Sequence, residues 1–247
     1  MKDHLTILQN FIITNESILN HLKSDVGLKA TSNVLGECKW VVNYKTSLYL
    51  DEIKTLYNNY LTDYDLYNNI EDNTFTWATS TLALLKTIKT PYVFYLTEDR
   101  MFHKTTQSEF FEVMEEVVKN NLGLFHIGKI QKYIRPQYVN NVPYNSDNKH
   151  IYTFLCKNAP GNCLSIDTIF RKDILEKSLE RLLHTKDKIP HVLEYERGIW
   201  LSKIMPDMLC GLPKNEIIES FCQPPIFSGV PNRNLTLSQS NQPPSFA

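Results

Sequence analysis

Glycine is scarce in this chain: 8 of 247 residues. Neither G-x-G-x-x-G nor G-x-x-x-x-G-K-[ST] occurs. That removes the glycine-rich phosphate cradles of the common dinucleotide and P-loop folds. An excess of one charge is also missing, with Lys+Arg 26 against Asp+Glu 27 and a formal net charge of −1. A chain that grips a phosphate backbone carries a basic excess, so a nucleic-acid partner is not expected. No apolar run approaches the ~20 residues of a membrane helix. Met1-Lys2-Asp3-His4 opens without a signal-peptide core. Cysteine is sparse and scattered, at 38, 156, 163, 210 and 222, with no Cys-x-x-Cys pair. These five read as reduced, mostly buried thiols, which together with the missing leader predicts a cytoplasmic location. Cys156 and Cys163 flank a turn at Ala159-Pro160-Gly161, but His150 alone does not complete a zinc site there.

What is present alternates between two periodicities. Leu5 to Thr14 is a mostly apolar run, predicting a first strand, and Glu16 to Lys23 reads as helix with Asn15 as its N-cap. Lys39 to Tyr44 is β-branched and aromatic, a second strand. Ile53, Leu56, Tyr57 and Tyr60 share a helical face, and Tyr64 to Tyr67 predicts a short third strand. Helical spacing over 75–88 ends at Thr90-Pro91. Tyr92 to Leu96 then forms the strongest strand, apolar on both faces as a covered central strand requires. Phe110, Phe111, Met114, Val117 and Val118 mark a further helix, and Leu124 to Ile130 another strand. This order predicts an α/β fold with a mostly parallel central sheet flanked by helices and ligands at the strands' carboxyl ends. The composition shifts after Gln223 toward Pro, Asn, Ser and Gln. One domain is expected over 1–231, with a tail over 232–247.

Thr97-Glu98-Asp99-Arg100 follows the central strand directly. Two adjacent acids at a strand end suit a hard cation such as Mg²⁺ or Mn²⁺, held by one or two carboxylates together with phosphate oxygens. A solvated turn would carry the same residues, so the pair alone leaves both readings open.

The run from Thr76 to Asp99, a helix, the strand Tyr92-Val93-Phe94-Tyr95-Leu96 and an acidic pair, resembles the core of GT-A nucleotide-sugar glycosyltransferases, specifically family 2-like members. The resemblance implies a GT-A fold. It also implies transfer of a sugar from a nucleoside-diphosphate sugar to a glycan or other hydroxyl acceptor, with inversion. It makes Asp99 the principal ligand of a Mn²⁺ or Mg²⁺ ion and Glu98 the second. Arg100 stands where many members carry another acid. A guanidinium there either takes over part of the cation's role on the diphosphate or pairs with a carboxylate.

The same resemblance places the nucleotide at the ends of the first two strands, at Thr14, Asn15 and Asn43. The second strand lacks the family's Asp-Asp pair, so the base is not specified. Asn162 to Leu175, with Phe170-Arg171-Lys172-Asp173, resembles the strand and helix that pass the acceptor site. It makes Asp167 a contact for an acceptor hydroxyl; Trp77 opens its helix near the cleft, where it either lines the cleft or packs in the core. His191 to Ile204 resembles the helix that carries the general base, with Glu196 the first candidate and Glu194 the second. A helix N-terminus also favours acids through its dipole, so those glutamates have a purely structural reading as well. Arg171, Lys172 and Asp173 have the same structural alternative.

Two rivals remain. A sugar-phosphate nucleotidyltransferase uses a similar sheet, but it starts with a Gly-rich phosphate loop, whereas Phe11-Ile12-Ile13-Thr14-Asn15 has no glycine. A non-catalytic module binding a nucleotide-sugar or glycan on the same fold would tolerate Arg100.

Overall fold

The computed structural model describes residues 1–11, 16–44, 48–68, 77–96, 100–102, 105–127, 143–158, 168–184, 200–217 and 219–220. The first half is built from β1 (Leu5–Phe11), α1 (Glu16–Lys23), α2 (Leu28–Leu35), β2 (Lys39–Tyr44), α3 (Leu50–Tyr60), β3 (Tyr64–Asn68), α4 (Trp77–Thr87) and β4 (Tyr92–Leu96). Then follow β5 (Arg100–Met101), α5 (Gln107–Lys119), β6 (Leu124–His126), β7 (Ile151–Leu155), β8 (Thr168–Arg171), α6 (Lys172–Leu183), β9 (Leu209–Pro213) and β10 (Glu219–Ser220). Residues 200–204 are helical.

Among the described residues eight strands form one sheet in the order β3-β2-β1-β4-β8-β6-β9-β7. β1 pairs in parallel with both β2 and β4, β2 with β3, and β6 with β9, while β8 and β7 run antiparallel to their neighbours. The chain therefore winds outward from β1 to β3 and then crosses back to β4, which puts a topological switch point between β1 and β4. A ribbon of β5 and β10, antiparallel, lies apart from this sheet.

Alternation along the strands divides the core into two layers. Leu5 and Ile7 of β1, Trp40, Val42 and Tyr44 of β2, and Tyr92, Phe94 and Leu96 of β4 pack with the apolar faces of α1, α2, α3 and α5. Leu8, Val41, Val93 and Tyr95 point to the opposite layer, built with α4 and α6. Covering both faces is what makes a parallel sheet stable, and it explains the unbroken burial of all five residues of β4. Phe102, buried just after β5, stacks edge-to-face between Phe94 of β4 and Phe110 of α5, at centroid distances of 5.5 and 5.6 Å. α5 starts from a capping box: the Thr106 hydroxyl accepts from Glu109 N, and the Glu109 carboxylate accepts from Thr106 N.

Several expectations need correction. Ile151–Leu155, for which the sequence reading names no element, is strand β7, pairing with β9. β9 itself was not expected, because Gly211 and Pro213 disguise its run. α2 was not expected either, since Thr31, Ser32, Asn33 and Val34 are weak helix formers. The strand expected over Leu124–Ile130 is described as far as His126, with Ile127 in a turn. The tail over 232–247 and Cys163 lie outside the described residues. Cys38, Cys156 and Cys210 are free and buried. Burial pushes the Cys38 thiol up to about 12, so it stays protonated and inert.

Gly211 shows what the tight β6–β9–β7 packing demands. A Cβ built there would lie 2.6 Å from Leu122 Cδ1 and 3.2 Å from the Tyr152 carbonyl oxygen. Gly211→Ala should destabilise the fold by about 1–3 kcal/mol through overpacking. For a chain of this size that is a fall in melting temperature of roughly 2–12 °C. Calorimetry showing no change would contradict the packing.

Candidate functional site

Polar side chains gather at one edge of an otherwise apolar sheet. β1 ends Gln9-Asn10-Phe11, with Gln9 2% and Asn10 7% exposed. Asn43, near the end of β2, is 2% exposed and lies directly opposite Asn10 in the ladder. His126 ends β6 and Thr168 begins β8; both are fully buried and paired in register. Thr168 is also the register partner of Tyr95 in β4. Because β8 runs antiparallel, its first residue meets the last residues of β4 and β6. All these groups therefore lie at the carboxyl rim of the parallel strands, at and beside the switch point.

Register also fixes which layer they face. Asn10 shares a face with Leu8, and Leu8 is opposite Tyr95. The Asn10 amide accordingly donates from Nδ2 to the Tyr95 hydroxyl at 3.1 Å and to Thr81 Oγ1 of α4 at 2.8 Å. Asn10 Oδ1 is buried with no hydrogen-bond partner. An orphaned buried amide oxygen costs about 1–3 kcal/mol, so its place beside the switch point calls for an explanation. His126 Nδ1 lies 3.0 Å from Thr168 Oγ1. On the other face Tyr57 of α3 donates its hydroxyl to Gln9 Oε1, and Tyr44 donates its hydroxyl to the Leu48 carbonyl. A sheet built for stability alone would bury apolar side chains here. Tethering each rim strand to a helix or a neighbouring strand holds the rim in one geometry.

Of the residues singled out from the sequence, Asn43 lies on this rim. Trp77 opens α4, and Arg100 begins β5, opposite Ser220 of β10. Thr14, Asn15, Glu98, Asp99, Asp167, Glu194 and Glu196 lie outside the described residues. Their described neighbours bracket the rim nonetheless. Leu96, before the acidic pair, is 1% exposed and so is Phe102 beyond it. Thr168, next after Asp167, is in the rim row itself.

Arg171, Lys172 and Asp173 take the structural reading. Arg171 pairs with Tyr92 at the amino end of β4. That is about 10 Å along the strand from Thr168, at ~3.3 Å per residue. Arg171 forks the Asp173 carboxylate at 2.7 and 3.1 Å, and Lys172 Nζ donates to the Ile88 carbonyl at 2.6 Å. Burial alone would raise the Asp173 carboxyl, but the hydrogen bonds and charge of Arg171 outweigh it and hold the group below the usual carboxylate range. These three residues join α6 to the far edge of the sheet. His184 caps the end of α6.

Gln9, Asn10, Tyr95, His126 and Thr168 were not anticipated. The available signal was polarity at the ends of apolar runs, as in Leu124-Phe125-His126. Strand register, which the sequence does not display, is what brings them together.

Among the described residues no helix is long and apolar enough to cross a membrane, and no group of three or more His, Cys, Asp or Glu side chains could hold a metal. No family model matches the chain, and no curated protein matches it. Solved structures do resemble it. S. aureus TarS 1-349 in complex with UDP superposes with a TM-score of 0.56 at 11% identity, over 87% of this chain and 59% of that one. The mannosyltransferase PcManGT from Pyrobaculum calidifontis, in complex with GDP-Man and Mn²⁺, gives a TM-score of 0.55 at 11% identity, over 95% and 59%. A nucleotidyl transferase from Methanothermobacter thermautotroptrophicus gives 0.50 at 7% identity, over 87% and 89%. The chain thus spans about three-fifths of the length of TarS 1-349 and of PcManGT. At these identities the likeness is one of fold: the chain has the α/β, mostly parallel GT-A-like fold shared by glycosyltransferases and nucleotidyltransferases.

Proposed function

We propose that the protein is a glycosyltransferase that moves a sugar from a nucleoside-diphosphate sugar to an acceptor hydroxyl, with inversion. The observation that carries this reading is the buried polar rim at the β1/β4 switch point, centred on Asn10 and its orphaned Oδ1. Ligands of open α/β sheets lie in that crevice. Two proteins of the same fold are bound to UDP in one case and to GDP-Man with Mn²⁺ in the other, which supports a nucleotide-sugar here.

In this reading the nucleotide lies across the ends of β1 and β2, against Thr14, Asn15 and Asn43. Asn43 offers both a donor and an acceptor, as recognition of a base or ribose requires. The leaving diphosphate lies over the segment between β4 and β5. Glu98 and Asp99 are hard oxygen donors that fit Mn²⁺ or Mg²⁺, with Asp99 the principal ligand. When bound, the cation supplies positive charge against the departing diphosphate. Asp167 and Trp77 contact the acceptor. Glu196 takes the proton from the attacking hydroxyl, and Glu194 is the alternative base. The protein's task is to place that hydroxyl in line with the bond that breaks.

The nucleotidyltransferase alternative shares the sheet, and its weakness is the glycine-free segment after β1. Incubation with UDP- and GDP-sugars separates the two. Release of nucleoside diphosphate supports glycosyl transfer, whereas a nucleoside triphosphate formed from added pyrophosphate contradicts it.

Glu196→Gln should lower kcat about 10²–10⁴-fold with little change in donor affinity. A large loss in Glu194→Gln with none in Glu196→Gln would move the base by two residues. Chelation by EDTA should stop transfer and Mn²⁺ should restore it, with Arg100→Ala costing little. Activity that survives EDTA but falls with Arg100→Ala would assign the diphosphate to Arg100 instead. That contact is worth about 1.5–3 kcal/mol.

A further inference from the structure

A concave site lies between the start of α5 and the carboxyl end of β9. Its volume is about 250 Å³. That is below the roughly 300–1,000 Å³ of pockets for drug-sized ligands, and it leaves room for one small unit. The floor is apolar: Val113 of α5, Pro213 of β9 and Ile217, with Val113 6% and Ile217 4% exposed. The rim carries Glu109, His150, Asn215 and Glu216.

His150 is held in place from several directions. The amides of Lys149 and His150 donate to the two oxygens of Glu116, each at 2.9 Å. Lys214 Nζ ties down the same turn through the carbonyls of Ser146 and Asn148. The imidazole Nε2 lies 3.0 Å from Glu112 Oε2, a carboxylate that also receives Lys149 Nζ. A carboxylate at Nε2 fixes the proton on that nitrogen and leaves Nδ1 an acceptor in the neutral ring. Nδ1 makes no hydrogen bond to a described residue. Glu109 is fixed through the capping box at Thr106, which holds its carboxyl below the usual range.

The rim therefore presents ordered acceptors at His150 and Glu109, together with the donor and acceptor of Asn215, around an apolar floor. A ligand that fits has several hydroxyl donors at its edge and a C–H face for Val113, Pro213 and Ile217. We infer that this pocket binds a single pyranose unit of a carbohydrate, with His150 taking one of its hydroxyls. Its place in the chain suits an acceptor. Glu109 lies ten residues beyond Asp99, and Ile217 lies two residues before β10, which pairs with Arg100 in β5. Only the acceptor role rests on the transferase reading; the carbohydrate pocket does not.

The test is saturation-transfer NMR on the full chain. The probes are the methyl glycosides of glucose, galactose, mannose and N-acetylglucosamine, with spermidine as a cationic control. At least one glycoside should receive saturation. His150→Ala should weaken that binding about 2- to 13-fold, the range for one neutral hydrogen bond. Ile217→Trp, which fills the floor, should abolish it, and both variants are checked by near-UV circular dichroism. No signal from any glycoside, a signal from spermidine alone, or a signal indifferent to both substitutions would overturn the inference. UDP and GDP titrated into the same sample separate the two claims. Nucleotide binding without glycoside binding removes the pocket alone, and the converse removes the transferase reading alone.

Discussion

β1 and β4 lie side by side in parallel, covered on both faces, and the remaining architecture follows from that pair. Covering both faces buries every residue of β4, Tyr92-Val93-Phe94-Tyr95-Leu96, and makes β1 apolar at Leu5, Ile7 and Leu8. It also forces the crossovers to run through helices, α1, α2 and α3 with α5 on one side and α4 with α6 on the other. Reversal of the winding direction at β1 places the topological switch point between β1 and β4. Apolar packing ends there, and the buried polar row Asn10, Asn43, Tyr95, Thr168 and His126 takes its place. Burial of such groups is unfavourable unless they are hydrogen-bonded. The contacts to Thr81 and between His126 and Thr168 are therefore part of what makes the rim stable as well as polar.

The antiparallel β8 extends this logic to the second half. By inserting between β4 and β6 in reverse, it brings the start of one strand to the ends of two others. Thr168 joins the rim, while Arg171 is carried to the opposite edge, where it forks Asp173. Two residues three positions apart thus acquire different roles through strand direction. The Phe94–Phe102–Phe110 stack, worth about 0.5–1.5 kcal/mol per pair, ties the segment after the acidic pair to both β4 and α5. It anchors the chain on either side of Glu98 and Asp99.

Local chemistry made much of the first half legible. β2 and β4 are recognisable from β-branched and aromatic runs, α3 and α5 from their apolar periodicity, and the end of α4 from Thr90-Pro91. Where local preference and tertiary context disagree, the reading failed. α2 is helical because Leu28, Val34 and Leu35 are buried, despite Thr31, Ser32 and Asn33. β9 is a strand because β6 and β7 hold it on both sides, despite Gly211 and Pro213. The rim shows the deeper limit. Asn43 was recognisable as the end of a predicted strand, but Asn10, His126 and Thr168 are brought to one rim only through pairings between residues 42 to 87 positions apart, and no local pattern encodes such register. The resemblance around Thr76–Asp99 identified the strand that leads to the crevice, and the fold agrees with it.

The central claim is that the β1/β4 switch point binds a nucleoside diphosphate. Amide hydrogen exchange with and without UDP or GDP, in the presence of Mn²⁺, tests it most directly. Added nucleotide should slow exchange at the carboxyl ends of β1, β2 and β4, leaving β7 and α6 unchanged. Protection confined to β7, β9 or α6, or no protection with either nucleotide, would contradict the account.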